Sequence, residues 1–227
     1  MNAKNSGGDV HLGEIEGEVV AQTSSGSIKI ASAKGKAEVK NSGGQISIGE
    51  AGSSVVAETS SGSIEITTAN GPVEVRNSGG DVRIDEADAE TVASTSSGSI
   101  VIKLAKGKVD ARNSGGKIEV NDARETVQAR TSSGPIIVGF GTQPKAESHL
   151  EVSGGDIKVT LPRSAALDVD ARSSGGKVVS AFPVTSIVSG EPKPGALRGK
   201  INGGGSMLTL RASSGDIRLN ESAAATR

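Results

Sequence analysis

The chain holds 227 residues with a net charge of −1, 32 glycines, and only two residues of the Phe, Tyr and Trp class, Phe140 and Phe182. So little aromatic volume excludes the thick core of an ordinary globular domain, and the absence of cysteine excludes disulfides and thiolate metal sites. No apolar run reaches the ~20 residues that a membrane helix needs, and near-neutral, sign-mixed charge is not the basic footprint of a nucleic-acid binder.

Residues 1–4 run straight into a repeat, which reads as a start placed inside a longer solenoid or just behind a removed leader. The repeat is marked by the residue that precedes a Ser-Gly or Ser-Ser pair. It falls at Asn5, Thr23, Asn41, Thr59, Asn77, Thr95, Asn113 and Thr131, in steps of 18. Asn and Thr alternate, so the full period is two units. Taking this residue as position 0, position 5 is Val10, Ile28, Ile46, Ile64, Val82, Ile100, Ile118 and Ile136. Position 7 is Leu12 and then Ile or Val in every unit, and positions −2 and −4 are almost all Ala or Val. Apolar residues at alternate positions predict two short strands per unit, each with one apolar face. A small residue at position 10, from Ile15 and Ala33 to Ala123, adds a last inward side chain before a short return.

One unit cannot fold alone, because ordering its backbone costs roughly 1.5 kcal/mol per residue and its side chains are small. Stacked copies can fold, each strand pairing with its equivalents above and below. The expected fold is therefore all-β, a parallel β-solenoid (β-helix) of about 18 residues per coil. The crossover rule favours a right-handed turn, and the sequence alone does not fix the hand. Antiparallel hairpins are the rival arrangement and would leave one long open sheet with exposed edges. The glycine column from Gly8 through Gly26 to Gly134 falls where the backbone must turn with positive φ or pass close to the next coil. Asn and Thr at position 0 are expected to satisfy backbone groups at the bend and to bond to each other along the stack.

From Gly141 the spacing loosens. The next corners, Val152-Ser153-Gly154-Gly155 and Ser173-Ser174-Gly175-Gly176, each come three residues late. A stretch from Phe182 to Gly195, rich in Pro and Gly, reads as a surface loop. The last coil, with inward Leu208, Leu210 and Leu219, reads as an irregular C-terminal cap. The expected organisation is one domain over residues 1–221, with regular coils over 1–140, irregular coils and cap over 141–221, and a disordered tail over 222–227. Eleven or twelve coils at the strand spacing give a rod of about 50–60 Å.

Little here points to a reaction. His11 and His149 are the only histidines and lie in different units, both read as solvent-facing. A serine nucleophile needs a base and an orienting group, which two histidines cannot supply to a dozen equivalent serines. Asp9, Asp81 and Asp156 follow Gly-Gly pairs, but Lys117 and Pro135 share their column, which is incompatible with a calcium ladder; the aspartates read as turn residues. The Thr23, Thr59, Thr95 column lies on the core side by alternation, which argues against an ice-binding face. One surface feature stands out. Lys4, Lys40, Arg76 and Arg112 occupy position −1, and Glu38, Glu74 and Asp110 occupy position −3, alternating with Val20, Val56 and Val92. Ordered rows of charge and apolar side chain are what a flat binding surface would show.

The Ser-Gly-x-Ile units, together with the ending Gly199-Lys200-Ile201-Asn202-Gly203-Gly204-Gly205 and Leu208-Thr209-Leu210-Arg211-Ala212-Ser213-Ser214-Gly215-Asp216-Ile217, resemble a known group. This is the bacterial adhesin-type family of β-strand-repeat proteins, otherwise described as a domain of unknown function. The resemblance covers nearly the whole chain. It implies a β-solenoid, exported or attached to the cell envelope, with no established enzymatic activity and no agreed site residues.

The sequence therefore reads as a non-enzymatic cell-surface or envelope scaffold. No catalytic, metal or cofactor residue is assigned, and the partner is expected to be a protein or a glycan surface. One alternative is a structural solenoid that self-associates through its coil ends. Another is a polysaccharide-acting β-helix enzyme, which would need clustered acids or bases in a cleft.

Overall fold

A computed structural model describes residues 1–186 and 194–222. Among them there is no helix, and the strands form two sheets, one of 13 and one of 11 strands. The second to seventh coils each give positions −4 to 0 to the first sheet and positions 5 to 10 to the second, and the first and eighth differ by one or two residues. Neighbouring strands are parallel and in register one repeat apart, as in Ile46↔Ile64 and Ala57↔Val75. The fold is the β-solenoid that the period predicts.

The two sheets face each other across a thin core. Val19, Ala21, Ile28, Ile30 and Ala33 of one coil are at most 1% exposed, and their equivalents recur up the rod. The second-sheet strand kinks in each of the first seven layers. Position 8 drops out of the ladder (the pairing passes from Ile30↔Ile48 to Ser32↔Glu50), so positions 8 and 9 both turn outward and position 10 returns to the core. That kink returns position 10, an alanine in six of the first seven layers and Ile15 in the first, to the core beside the return segment.

The corner follows from two glycine constraints. At Gly80 φ is +117°, and a Cβ there would lie 2.3 Å from the carbonyl oxygen of Gly62 in the coil before. The same column is positive in every regular coil. From Thr23 onward, Asn and Thr at position 0 of the regular coils are buried, and they bond to backbone, not to one another as the sequence suggested. Asn77 accepts from the Gly79 N–H through Oδ1 (3.0 Å) and donates through Nδ2 to the carbonyls of Gly62 (2.9 Å) and Gly80 (3.0 Å). Thr59 donates to the Ser61 carbonyl instead (2.9 Å). The alternation is therefore one of hydrogen-bond roles. In Asn coils the side chain takes up an N–H of its own turn and donates to the coil before, whereas in Thr coils the hydroxyl takes up no N–H: it donates to a carbonyl of its own turn and, at longer range in Thr23, Thr95 and Thr131 (3.2–3.4 Å), to the coil before.

The end differs from the sequence reading in three ways. Nine layers follow one another in chain order, but the last two are reversed. The final coil (Ser206–Ser214 and Ile217–Glu221) sits between the layer of Ser148–Gly154 and Ile157–Leu161 and the layer of Leu167–Ser173 and Val178–Ser180. The cap of the C-terminal region is thus not the last coil. It is the end layer plus two strands beyond it, Ala196–Ile201 running antiparallel to Leu167–Ser173, and Val184–Ser186 antiparallel to Ala196–Ile201. Finally, the stretch expected as a surface loop begins with structure: Phe182 is 5% exposed and joins the core, because the end layer has no further coil to cover it. The rest of that stretch, residues 187–193, and tail residues 223–227 lie outside the described residues. Eleven two-stranded layers at the strand spacing make a rod of about 50 Å.

Candidate functional site

The outer face of the first sheet carries the charge rows. In the first regular coils each acid at position −3 lies beside the cation two residues on. Arg76 Nη2 meets Glu74 Oε1 at 2.5 Å, and Arg112 Nη2 meets Asp110 Oδ2 at 2.8 Å. Glu58, at position −1 of a Thr coil, bridges the two Asn coils on either side, reaching Lys40 Nζ at 3.6 Å and Arg76 Nη1 at 3.7 Å. The chain of charges is continuous from Glu38 to Glu74 and resumes further along with Arg130, Glu151 and His149. Val20 and Val92 stand exposed in the intervening coils.

Beside this row the sheet edge falls away into an open trough of about 610 Å³, lined by Gln22, Lys40, Glu58, Arg76 and Ser94, with Ser42, Ser60 and Ser78 on its far bank. A separate, smaller hollow of about 270 Å³ lies further along the same sheet, lined by Arg112, Arg130 and His149 among others. The far bank is a file that the sequence shows only as part of the corner: position 1 is an exposed serine in every one of the eleven layers, from Ser6 to Ser132 and then Ser153, Ser213 and Ser174. Its regularity was visible as a repeated Ser. Its position next to the cation row was not, because that depends on how far the corner turns.

The other sequence candidates do not converge. His11 is exposed in the first layer, and His149 lies in the ninth, 3.4 Å from Glu151. Among the described residues no three His, Asp or Glu side chains come together as a metal site would need. The aspartates of the Gly-Gly-Asp units serve the stack. Asp9 Oδ1 accepts from the Ser27 N–H (2.7 Å) and hydroxyl (2.8 Å), Asp81 Oδ1 from the Ser99 N–H (2.7 Å), and Asp156 Oδ1 from the Asp216 N–H (2.8 Å). Each ties its corner to the layer above, so the turn reading holds with the partner one coil away. The Thr23, Thr59 and Thr95 hydroxyls are buried, as the alternation predicted.

These contacts set an acid limit. The backbone N–H of Ser27, and then its hydroxyl, hold the Asp9 carboxyl below the usual carboxylate range. Lys36 does the same for Glu38. At Glu151 burial pushes upward, but His149 and Arg130 together outweigh it and the net shift is down. A carboxylate with a depressed folded pKa contributes stability above its unfolded pKa and loses it as pH falls through the folded value. The urea midpoint is therefore expected to hold from neutral pH to about 5 and to fall below about 4. The variant Asp9→Asn with Glu38→Gln is expected to show a shallower acid limb; an unchanged limb would remove these two groups from the account.

Two overlapping stretches, residues 1–138 and 108–220, match the model of the Toastrack DUF4097 family. Together they span the regular coils and the irregular end. The chain belongs to the Toastrack DUF4097 family. No curated protein and no solved structure matches it. The Toastrack assignment accounts for the repeat architecture and names no chemistry, so the trough is the feature on which a functional reading of this Toastrack domain has to rest.

Proposed function

We propose that this Toastrack solenoid is a non-enzymatic binding scaffold of the cell envelope or surface, adhesin-like in role, which holds a protein or glycan partner along the trough of its first sheet. The observation that carries the reading is the two-coil repetition of cation, exposed apolar side chain and serine hydroxyl along an open face. A single set of such contacts binds weakly, but an extended partner meets several in series and gains by effective concentration. Catalysis would need a base and a nucleophile in one cleft, and the two histidines stand eight layers apart. The stepped C-terminal end, where the first sheet runs two strands beyond the second, offers no flat layer for a matching coil and speaks against end-to-end assembly.

The test is a glycan array and an envelope pull-down with the intact rod and with Lys40→Glu/Arg76→Glu. Reversing both cations is expected to cut retained partner at least ~10-fold, while stability shifts by less than ~1 kcal/mol, since exposed ion pairs contribute little. Equal retention by the two proteins would remove the trough from the reading. A glycan recovered with changed mass would end the non-enzymatic part of it. Fractionation of the native host is expected to place the chain with the envelope.

A further inference from the structure

The two-coil rhythm on the outer face of the first sheet breaks at the eighth layer. We propose that the hollow there, bordered by Arg112, Arg130 and His149, is an oxyanion site that takes a phosphate group, whatever the trough itself holds.

In the earlier Thr coils the outward residues are Val20, Val56 and Val92 at position −3, and Gln22, Glu58 and Ser94 at position −1. The eighth layer is also a Thr coil but carries Gln128 and Arg130 at these places. In the third, fifth and seventh layers position −3 is an acid, Glu38, Glu74 or Asp110. In the ninth it is His149, in register with Gln128, and the acid, Glu151, has moved beside Arg130. These changes remove an apolar side chain and a carboxylate from one spot and put an amide, a guanidinium and an imidazole there. Arg130 is also the register partner of Arg112, the one pair of adjacent cations in this column of the regular coils. Like charges directly opposite on neighbouring strands repel.

The hollow has Ala129 at its centre, with Arg112, Arg130, His149, Gln128 and a single carboxylate, Asp110, around it. Asp110 takes up one side of the Arg112 guanidinium, accepting from Nε (3.1 Å) and Nη2 (2.8 Å). Glu151 Oε2 meets both Arg130 Nη2 (2.6 Å) and His149 Nε2 (3.4 Å), so one carboxylate outside the lining positions two of its cationic or imidazole groups. The trough shows what two such cations take when the chain itself supplies the anion. There Glu58 lies between Lys40 Nζ (3.6 Å) and Arg76 Nη1 (3.7 Å). No coil intervenes between Arg112 and Arg130, so no side chain of the column can fill that role, and an anion from solution does. A planar carboxylate spends its two oxygens on one guanidinium. A tetrahedral phosphate has oxygens for two guanidinia one strand spacing (~4.8 Å) apart, and for Gln128 or His149 as well. Both arginines are largely exposed and Asp110 offsets part of their charge, so the binding is weak and sensitive to salt.

The experiment titrates the intact chain with inorganic phosphate in a low-salt chloride buffer and follows the backbone amides by NMR. Saturable shifts are expected at residues 128–131 and 149–151, and acetate is expected to bind at least ~5-fold more weakly. The variant Gln128→Val with Arg130→Ser gives the eighth layer the outward pair of the sixth, Val92 and Ser94, which the rod already accommodates. It is expected to lose at least ~10-fold in phosphate affinity, whereas Lys40→Glu/Arg76→Glu keeps the affinity of the parent. Glycerol 1-phosphate and dimethyl phosphate separate the sources. Esters bound as tightly as the free ion assign the site to a phosphate carried on a larger partner, and binding of the free ion alone assigns it to phosphate itself. The proposal is overturned by phosphate that produces no saturable shift, by acetate binding as tightly as phosphate, or by equal affinity in Gln128→Val/Arg130→Ser. Loss of phosphate binding in Lys40→Glu/Arg76→Glu would overturn it too, by moving the anion into the trough.

Discussion

Gly80→Ala is expected to lower the unfolding free energy by about 3 kcal/mol or more, while Gly79→Ala, one residue away in the same corner, costs less than about 0.5 kcal/mol. The two glycines are adjacent, but Gly79's column alternates with serine (Ser61, Ser97) whereas Gly80's is glycine in every regular coil, and the space around them accounts for the difference. Gly79 has ordinary φ, and a Cβ there would find its nearest neighbour, the Ser60 carbonyl oxygen, at 3.5 Å. Gly80 sits at φ +117°, where its Cβ would lie 2.3 Å from the Gly62 oxygen and 2.8 Å from the Gly62 carbon. That neighbour is backbone and cannot swing aside. It is also the acceptor of the Asn77 side chain, so displacing it breaks a buried hydrogen bond as well. Because a solenoid unfolds in parts, the pair is best compared by hydrogen exchange of the amides from Thr59 to Ile102 alongside the urea midpoint. Equal costs for the two variants would show that close approach of the coils does not dictate this column.

That contrast indicates what the sequence can and cannot reveal. Periods of 2 and 18 were enough for the sheets, because Ile28, Ile46 and Ile64 can be buried together only if their strands stack in register. The glycine column was legible for the same reason, since a turn repeated eight times shows its constraint eight times. Which carbonyl Asn77 reaches was not legible, because the choice between a neighbour's side chain and a glycine backbone turns on less than a strand spacing. The order of the last layers was hidden more deeply. Leu208, Leu210, Ala212, Ile217 and Leu219 sit at positions −4, −2, 0, 5 and 7 of a coil, so their pattern fits any layer of the rod equally well. The link lengths give no hint either, since the seven residues 141–147 climb one layer and the five residues 162–166 climb two. At the candidate site, the cation and acid columns could be counted from the sequence. The trough could not, because it is lined jointly by position −1 and corner residues of five neighbouring coils, whose juxtaposition depends on the stacking.

Removing residues 206–227 is expected to unfold the end of the rod, whereas removing residues 1–18, a stretch of similar length, is expected to trim it. The first coil lies outermost. Its Val10, Leu12 and Ile15 are only partly buried, and its loss passes the edge position to the next coil. The final coil is covered on both sides, and Leu208, Leu210, Ile217 and Leu219 are at most 1% exposed. Burial of a Leu or Ile side chain is worth roughly 1.5–3 kcal/mol, so these four alone contribute on the order of 6–12 kcal/mol, comparable with the whole stability of a typical domain. Their removal also strands the end layer, whose second-sheet strand has no other partner. In hydrogen exchange, the shortened chain should lose protection across residues 148–201 and keep it across residues 19–120. The chain lacking its first coil should lose protection only in the strands from Val19 to Ala33. Were the last coil simply the outermost turn of a rod laid down in chain order, the two deletions would be mirror images, each costing one edge layer and leaving its neighbour intact.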